Sequence, residues 1–463
     1  MKTKLVGLLV LMMYASVTLP AQNAINYDAL RQRADLLLEE SVRARDFVGV
    51  AAAIMIDGEM VWAGGAGYRD QENQLPADRF MLHRIASVAK PMTAVAILQL
   101  EAAGKIELDL PIQTYVPQFP EKPEGTVTIR HLLQHTSGIG AYQSNAEYYS
   151  MVEYPTQAAA MAFFQDRPLL FSPGTDYHYT TFGYIVLGAI IEAVSGDSYA
   201  AYMREHIWTP AGMTHTDIEH FGEELPQKSK LYGHTNAGTI IEDTYDNLSF
   251  KYAGGGIHST VEDLLLFGQA LLDNRLLSAE QFALMQTPPE LEQEGFPYAM
   301  GCYPYGSEEY GRAIRHGGAQ SGTTTFWHTY LDKRIVVAIL TNTAGASREI
   351  DALRGSLNNL AHFPEIAEQP TRLITLLTDE ELNRFVGKFQ FDHGPEFEIS
   401  RQGQHLLFSR EDRPSVRMFP YSKTALLMRQ YQSRIEFELN ENEDYSRLTV
   451  YNWEEELTAK RIE

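Results

Sequence analysis

The chain is short of cysteine, of basic residues and of long apolar runs, and each shortage closes off a class of function. A single cysteine, Cys302, stands among 463 residues. No disulfide can therefore form within the chain, and no cysteine-based redox or metal motif is available. There are 38 Lys and Arg against 60 Asp and Glu, a formal net charge of -22. An acidic surface repels phosphate backbones and anionic lipid, so nucleic acid is not expected as a partner and solubility is the plain reading of the charge. The 14 histidines show no HExxH or comparable spacing, and no Lys-Ser/Thr pair follows the glycines at 254–256. Neither a metal site, a phosphate loop nor a cofactor is expected.

A membrane-spanning helix needs about 20 consecutive apolar residues. The apolar run at residues 5–15 is too short for that. It follows Lys2 and Lys4 and precedes the small residues Ala21 and Ala24, the pattern of a cleavable export signal. Residues 1–21 are read as a signal peptide, and the mature chain is expected in the periplasm or secreted. No cysteine lies near the cleavage region, so no membrane anchor is expected.

Hydrophobic residues make up 44% of the chain and charged residues 21%, the balance of a folded protein long enough for two or three domains. Residues 26–46 have helical amphipathic spacing. Two apolar runs flank Asp57-Gly58, a turn pair suited to a hairpin over residues 49–68. Helices are predicted over 91–104, 184–194 and 261–272, the last capped by Ser259 or Thr260. The run at residues 335–340, IVVAIL, reads as a buried strand. A sheet with strands from both ends of this region, covered by helices, predicts an α/β or α+β sandwich spanning residues 22–365. After the linker-like residues 367–372 the pattern becomes short strands separated by turns. Residues 366–463 are therefore read as a small C-terminal β-barrel-like domain.

Ser87-Val88-Ala89-Lys90 carries the chemistry. It opens a predicted helix, where the positive end of the helix dipole favours negative charge developing on a serine oxygen. Three residues on, Lys90 falls on the same helix face. A lysine in a partly desolvated pocket has a lowered pKa and can accept the serine proton. Taken alone, a serine at a helix start is usually only a cap.

The surroundings decide between these readings. HRIASVAKPMTAVAILQL, VTIRHLLQHTSGIG, SPGTDYHYTTFGYIVLGAIIEAVSG, IWTPAGMTHT, YAGGGIHSTVEDLLLFGQALL and RHGGAQSGTTTF occur in that order. Together they resemble the serine β-lactamase and penicillin-binding-protein superfamily, over about residues 27–345. The branch concerned holds class C β-lactamases, D-alanyl-D-alanine carboxypeptidases, D-aminopeptidases and β-lactamase-like esterases. The resemblance implies a β-lactamase-like sandwich with an antiparallel sheet, with Ser87 as nucleophile and Lys90 and Tyr179 as its proton-moving partners. The phenolate of Tyr179 is expected to be stabilised beside a cationic Lys90. Thr181 stands where the family has the asparagine of its Tyr-x-Asn element. A literal Tyr-x-Asn occurs instead at Tyr245-Asp246-Asn247, in a polar stretch without the flanking motifs. His316-Gly317-Gly318 occupies the place of Lys-Thr-Gly and, with Thr181, is expected to bind substrate. The two glycines are expected to let substrate lie close to the backbone. Ala319 is expected to complete an oxyanion hole with the N–H of Ser87. His131 and His135 are read as structural. Residues 382–391, LNRFVGKFQF, are similar to lipocalin-like β domains attached to some members.

The function implied is a secreted serine hydrolase acting through an acyl-enzyme on a small-molecule ester, amide or D-amino-acid substrate. An esterase or D-amino-acid-directed peptidase is favoured over a β-lactamase or D-Ala-D-Ala carboxypeptidase. Acyltransferase activity and a non-catalytic binding role are the alternatives. A titrating His316 would attract a substrate carboxylate less as pH rises above about 6.5. The sequence does not define the oligomeric state.

Overall fold

The computed structural model describes residues 26–234, 239–291, 298–368, 375, 377–403, 405–411, 413–428, 433–440, 445–451 and 456–463. The expected signal peptide and most of the linker-like stretch lie outside these. The amphipathic first segment forms helix α1 (Asp28–Arg43). Strands β1 (Gly49–Ile56) and β2 (Glu59–Asp70) follow. Their turn places Asp57 at φ 49° and Gly58 at φ 84°, the two positive angles a type I′ hairpin requires. Strand β3 (Leu75–Pro76) is short. Helices α2 (Ala89–Ala102), α3 (Thr181–Ser195) and α4 (Val261–Leu272) come next. The chain then returns as β4 (Tyr303–Ser307), β5 (Gly311–Gln320), β6 (Thr323–Tyr330) and β7 (Ile335–Thr341), and closes on α5 (Ser347–His362).

These strands make one seven-stranded sheet in the order β3-β2-β1-β7-β6-β5-β4. The β-branched run of β7 sits in the middle, antiparallel to both β1 and β6. Its residues are buried throughout, because both faces of the sheet are covered. Val336, Ala338 and Leu340 pack with α2, α3 and α4 in the larger core. Val337 and Ile339 point the other way and pack with α1 and α5. α4 starts where Thr260 accepts a hydrogen bond from the Asp263 amide. α3 begins three residues earlier than predicted, because the Thr180 side chain caps it by accepting from the Phe182 amide.

Residues 387–461 contain eight strands that close into a barrel. Phe385, Phe389, Phe397, Ile399, Leu406 and Leu426 are buried together in its core. Arg417 on the barrel reaches Asp46 at 2.6 Å and also donates to the Ala44 carbonyl, on the turn between α1 and β1.

A buried charge network braces the segment just before Ser87. Arg84 donates to Glu219 at 2.8 and 2.9 Å and to Asp246 at 2.6 Å. Lys251 donates to the other oxygen of Asp246 at 3.2 Å. Arg84, Glu219, Asp246 and Lys251 are all buried. Removing one member of such a set leaves a charge without its partner, which costs about 3–5 kcal/mol. Arg84→Ala is therefore expected to lose stability on that scale in chemical denaturation, and a loss below about 1 kcal/mol would show that the network does not hold this segment.

Candidate active site

Ser87 sits in a 3-10 turn, Ala86–Val88, that runs directly into α2. It is partly exposed between buried neighbours. Ala86 before it has φ 47°, a left-handed value that a residue with a Cβ rarely adopts. The turn is thus held by its surroundings and not by local preference. Helix periodicity then brings Lys90 back to the same face, with Nζ 3.0 Å from Ser87 Oγ.

Lys90 is fully buried. Nζ lies 2.7 Å from the Gly254 carbonyl and 3.4 Å from Thr181 Oγ1. Among the described residues no carboxylate forms an ion pair with it. Burial, with a further push from the Lys251 charge, lowers its pKa well below the ordinary lysine value. A neutral amine has two N–H donors and one lone pair. Once neutral, Lys90 could donate to Gly254 and Thr181 and keep its lone pair for Ser87 Oγ.

Tyr179 lies just ahead of the α3 cap. Its hydroxyl hydrogen-bonds Ser87, and its ring lies 5.0 Å from Lys90 Nζ. Burial raises its pKa far more than the Ser87 hydrogen bond lowers it. The expected phenolate is therefore corrected: burial holds the Tyr179 pKa well above its ordinary value, so it keeps its proton at rest. Thr181 also differs in emphasis from its expected substrate contact. Its hydroxyl faces Lys90 and hydrogen-bonds Tyr142.

Strand β5 forms the opposite wall. It pairs with β4 only as far as Arg315, so residues 316–320 have β6 on one edge and the Ser87 turn close by. Thr325 of β6 donates to the Ile85 carbonyl at 2.9 Å and ties strand to turn. A Cβ on Gly318 would lie 2.3 Å from Thr325 Oγ1 and 2.5 Å from the Ile85 carbonyl oxygen. The smallness of Gly318 thus serves this contact and not only the approach of a substrate. Gly317 is exposed, and a Cβ there would meet nothing closer than 3.8 Å. Ala319 is exposed on the same strand.

His316 is buried, and its protonation state departs from expectation. Burial and the nearby Lys90 push its pKa down to about 3. Nδ1 lies 2.6 Å from the Gly317 carbonyl, which only accepts, so Nδ1 carries the proton. Nε2 then accepts from the Tyr298 hydroxyl at 3.0 Å. A neutral His316 presents no charge to a carboxylate near neutrality, so the expected change in attraction around pH 6.5 does not arise.

Several residues at this site carry no signal at the level of sequence spacing. His135 packs its ring 4.2 Å from Tyr179 and 4.5 Å from Tyr298, and Nδ1 accepts from the Thr180 amide. His131 instead caps a short helix through Thr128, as a structural residue should. Gly254, Tyr142 and Tyr298 come from three separate segments. Asp246 of the literal Tyr-x-Asn match is committed to Arg84 and Lys251. Among the described residues there is no cluster of three or more His, Cys, Asp or Glu able to hold a metal ion.

The family model for Beta-lactamase matches residues 34–358. The mitochondrial serine beta-lactamase-like protein LACTB of Homo sapiens is 31% identical over 291 residues, 48% of this chain and 53% of the relative. The chain thus spans about half the length of that relative. Penicillin-binding protein 4* of Bacillus subtilis (strain 168) is 26% identical, covering 89% of this chain and 94% of its own. The octameric penicillin-binding protein homologue from Pyrococcus abyssi superposes with a TM-score of 0.64 at 25% identity, over 93% of this chain and 99% of its own. The D-amino acid amidase from Ochrobactrum anthropi SV3 does so with a TM-score of 0.61 at 25% identity, over 71% of this chain and 99% of its own.

Two expectations follow from this geometry. Gly318→Ala should disrupt the Ser87 turn and lower stability, while Gly317→Ala should leave the melting temperature unchanged. Equal melting temperatures for both variants would sink the close-contact reading. His316 binds its proton more weakly folded, at about 3, than at its ordinary 6.5. Its contribution to stability is therefore complete above pH 6.5 and is lost as pH falls toward 3, by up to about 1.4 kcal/mol per pH unit. Denaturation of wild type and His316→Gln across that window should show a shallower acid slope in the variant.

Proposed function

The chain belongs to the Beta-lactamase family, and from that premise we propose that it is a serine hydrolase working through an acyl-enzyme at Ser87. The observation that carries this reading is the amine of Lys90: buried, without a carboxylate partner among the described residues, its pKa lowered, and 3.0 Å from Ser87 Oγ. As Oγ attacks a carbonyl carbon, its proton passes to Nζ. The oxyanion is received by the backbone N–H groups of Ser87 and Ala319. Tyr179 donates its proton to the leaving oxygen or nitrogen and recovers one from Lys90. Water then enters along the same proton path in reverse and releases the acid.

The proposed substrate is a neutral ester or amide of a small acyl group. His316 offers a neutral ring held between Tyr298 and Gly317, so a carboxylate on the substrate meets no fixed charge from this position. The Thr181 hydroxyl is engaged with Lys90 and Tyr142. It cannot supply the paired donor and acceptor of an asparagine amide. Both features favour short-chain esters over β-lactams, which present a carboxylate and an acylamino group. The similarity to a D-amino acid amidase keeps D-amino-acid amides in the same proposal.

A fluorophosphonate probe should label wild type but not Ser87→Ala, as read by intact mass. Lys90→Ala and Tyr179→Phe should each reduce turnover of p-nitrophenyl acetate at least about 10²-fold. An adduct on another residue, or near-normal turnover by both variants, would refute the mechanism. Acylation should rise with pH as Lys90 loses its proton, with a midpoint below the ordinary lysine value, and show no additional step near 6.5 from His316. Esters should be turned over faster than a chromogenic cephalosporin, and the reverse order would reject the substrate assignment. Product analysis with an added alcohol or amine separates hydrolysis from acyl transfer.

A further inference from the structure

The face of the sheet turned away from Lys90 carries a second concavity. Side chains alternate along β5 and β6, so His316 and Trp327 point toward the α2, α3 and α4 side, while Arg315 and His328 point toward α5. Between β4, β5, β6 and α5 these outward residues leave a cleft of about 590 Å³. That is the size range of small-molecule sites. Its walls are largely aromatic, from Tyr305, Phe326 and Tyr330. Two guanidinium groups rest on these rings, Arg315 5.1 Å from the centre of Tyr305 and Arg354 4.8 Å from the centre of Phe326. Asp351 pairs with Arg354 at 3.1 Å, so the lining carries two positive charges against one negative.

Two buried polar atoms at this cleft have no hydrogen-bond partner among the described residues. They are Nε2 of His328 and Oδ1 of Asn358, on residues only 1% and 4% exposed. His328 Nδ1 lies 3.5 Å from the Asn358 amide nitrogen, which donates. That leaves the ring proton on Nε2, an unanswered donor beside an unanswered acceptor. Burial and the two arginines hold the imidazole neutral. Unanswered buried polar groups are costly and rare in native proteins.

Gly355 supplies an independent observation. It lies inside α5, where glycine is unfavourable, and lines the cleft. A Cβ there would meet nothing within 4 Å. Packing therefore does not require glycine at this position; its effect is to leave the cleft open.

We propose that this cleft is a second ligand site, taking a small carboxylate with an aromatic body and one N–H donor, of the class of N-acylated aromatic amino acids. The carboxylate lies toward Arg315 and Arg354, and takes the Nε2–H of His328 once that buried ring turns toward the cleft. The ring lies against the aromatic wall, and the ligand N–H reaches Asn358 Oδ1 once that amide turns with it. The cleft borders the candidate active site through Gly317, whose strand it shares, and through Tyr303, whose ring lies 5.6 Å from that of His316. It does not depend on any chemistry at Ser87.

Isothermal titration calorimetry on the full chain tests this with N-acetylphenylalanine, its C-terminal amide and N-acetylalanine. Wild type and Ser87→Ala should bind the acid alike. The amide and N-acetylalanine should bind at least about tenfold more weakly. Gly355→Leu should fill the cleft and abolish binding while the melting temperature holds or rises. Arg354→Gln should weaken binding by at least about tenfold without blocking the cleft. No binding at millimolar acid, equal binding of the amide, or unchanged binding by Gly355→Leu and Arg354→Gln would each overturn the proposal. Loss of binding in Ser87→Ala would place the ligand in the groove at Ser87 and overturn it as well.

Discussion

The amine of Lys90 is buried where, among the described residues, no carboxylate pairs with it, and the arrangement around Ser87 follows from that constraint. An isolated ammonium is expensive to bury, so the pKa of the group falls well below the ordinary lysine value. A neutral amine must still satisfy two N–H donors. The carbonyl of Gly254 and the hydroxyl of Thr181 lie within reach to accept them, which would leave a lone pair for Oγ, 3.0 Å away. Lys251 adds to the effect by repulsion, while Asp246, itself bonded to Arg84, holds Lys251 in place. The charge network that braces the fold and the electrostatics of the site are thus one structure.

A basic lysine alone does not define a site; the serine must also be presented at a fixed distance. The left-handed Ala86 costs about 1–3 kcal/mol and persists only because its neighbours leave no alternative. Thr325 anchors Ile85 on one side. Gly318 lets the strand backbone approach where any side chain would collide. β5 and β6 thus hold the Ser87 turn from the strand side, where it leads into α2.

Much of this was legible in the sequence where the signal is local. Asp57-Gly58 predicted its hairpin because only certain residues tolerate two positive φ angles. Ser259 or Thr260 marked the start of α4, where Thr260 is the cap, and the unbroken apolar run of β7 marked a buried strand. The spacing of Ser87 and Lys90 placed them on one helix face. The rest is set by contacts across long stretches of chain. Thr181 and Gly254 reach Lys90 from 91 and 164 residues away, and no spacing rule encodes such a meeting. The charge states of His316 and Tyr179 were misjudged for a related reason. Residue type supplies a reference pKa, whereas burial, which decides both, appears only once the core is assembled.

The two-residue period of strand β5 explains how one strand serves two environments. His316 and Gly318 turn toward α2 and α3, where burial lowers the pKa of both His316 and Lys90. Arg315 and Gly317 turn toward α5, where arginine charges rest on aromatic faces and space is left open. A shift of one residue in register would exchange these sets, burying a guanidinium beside Lys90 and exposing the histidine. The pairing of β5 with β6, continuous from Ala313 to Gln320, prevents that shift. Register, more than any single side chain, therefore keeps the environment of Lys90 free of a second permanent charge from this strand.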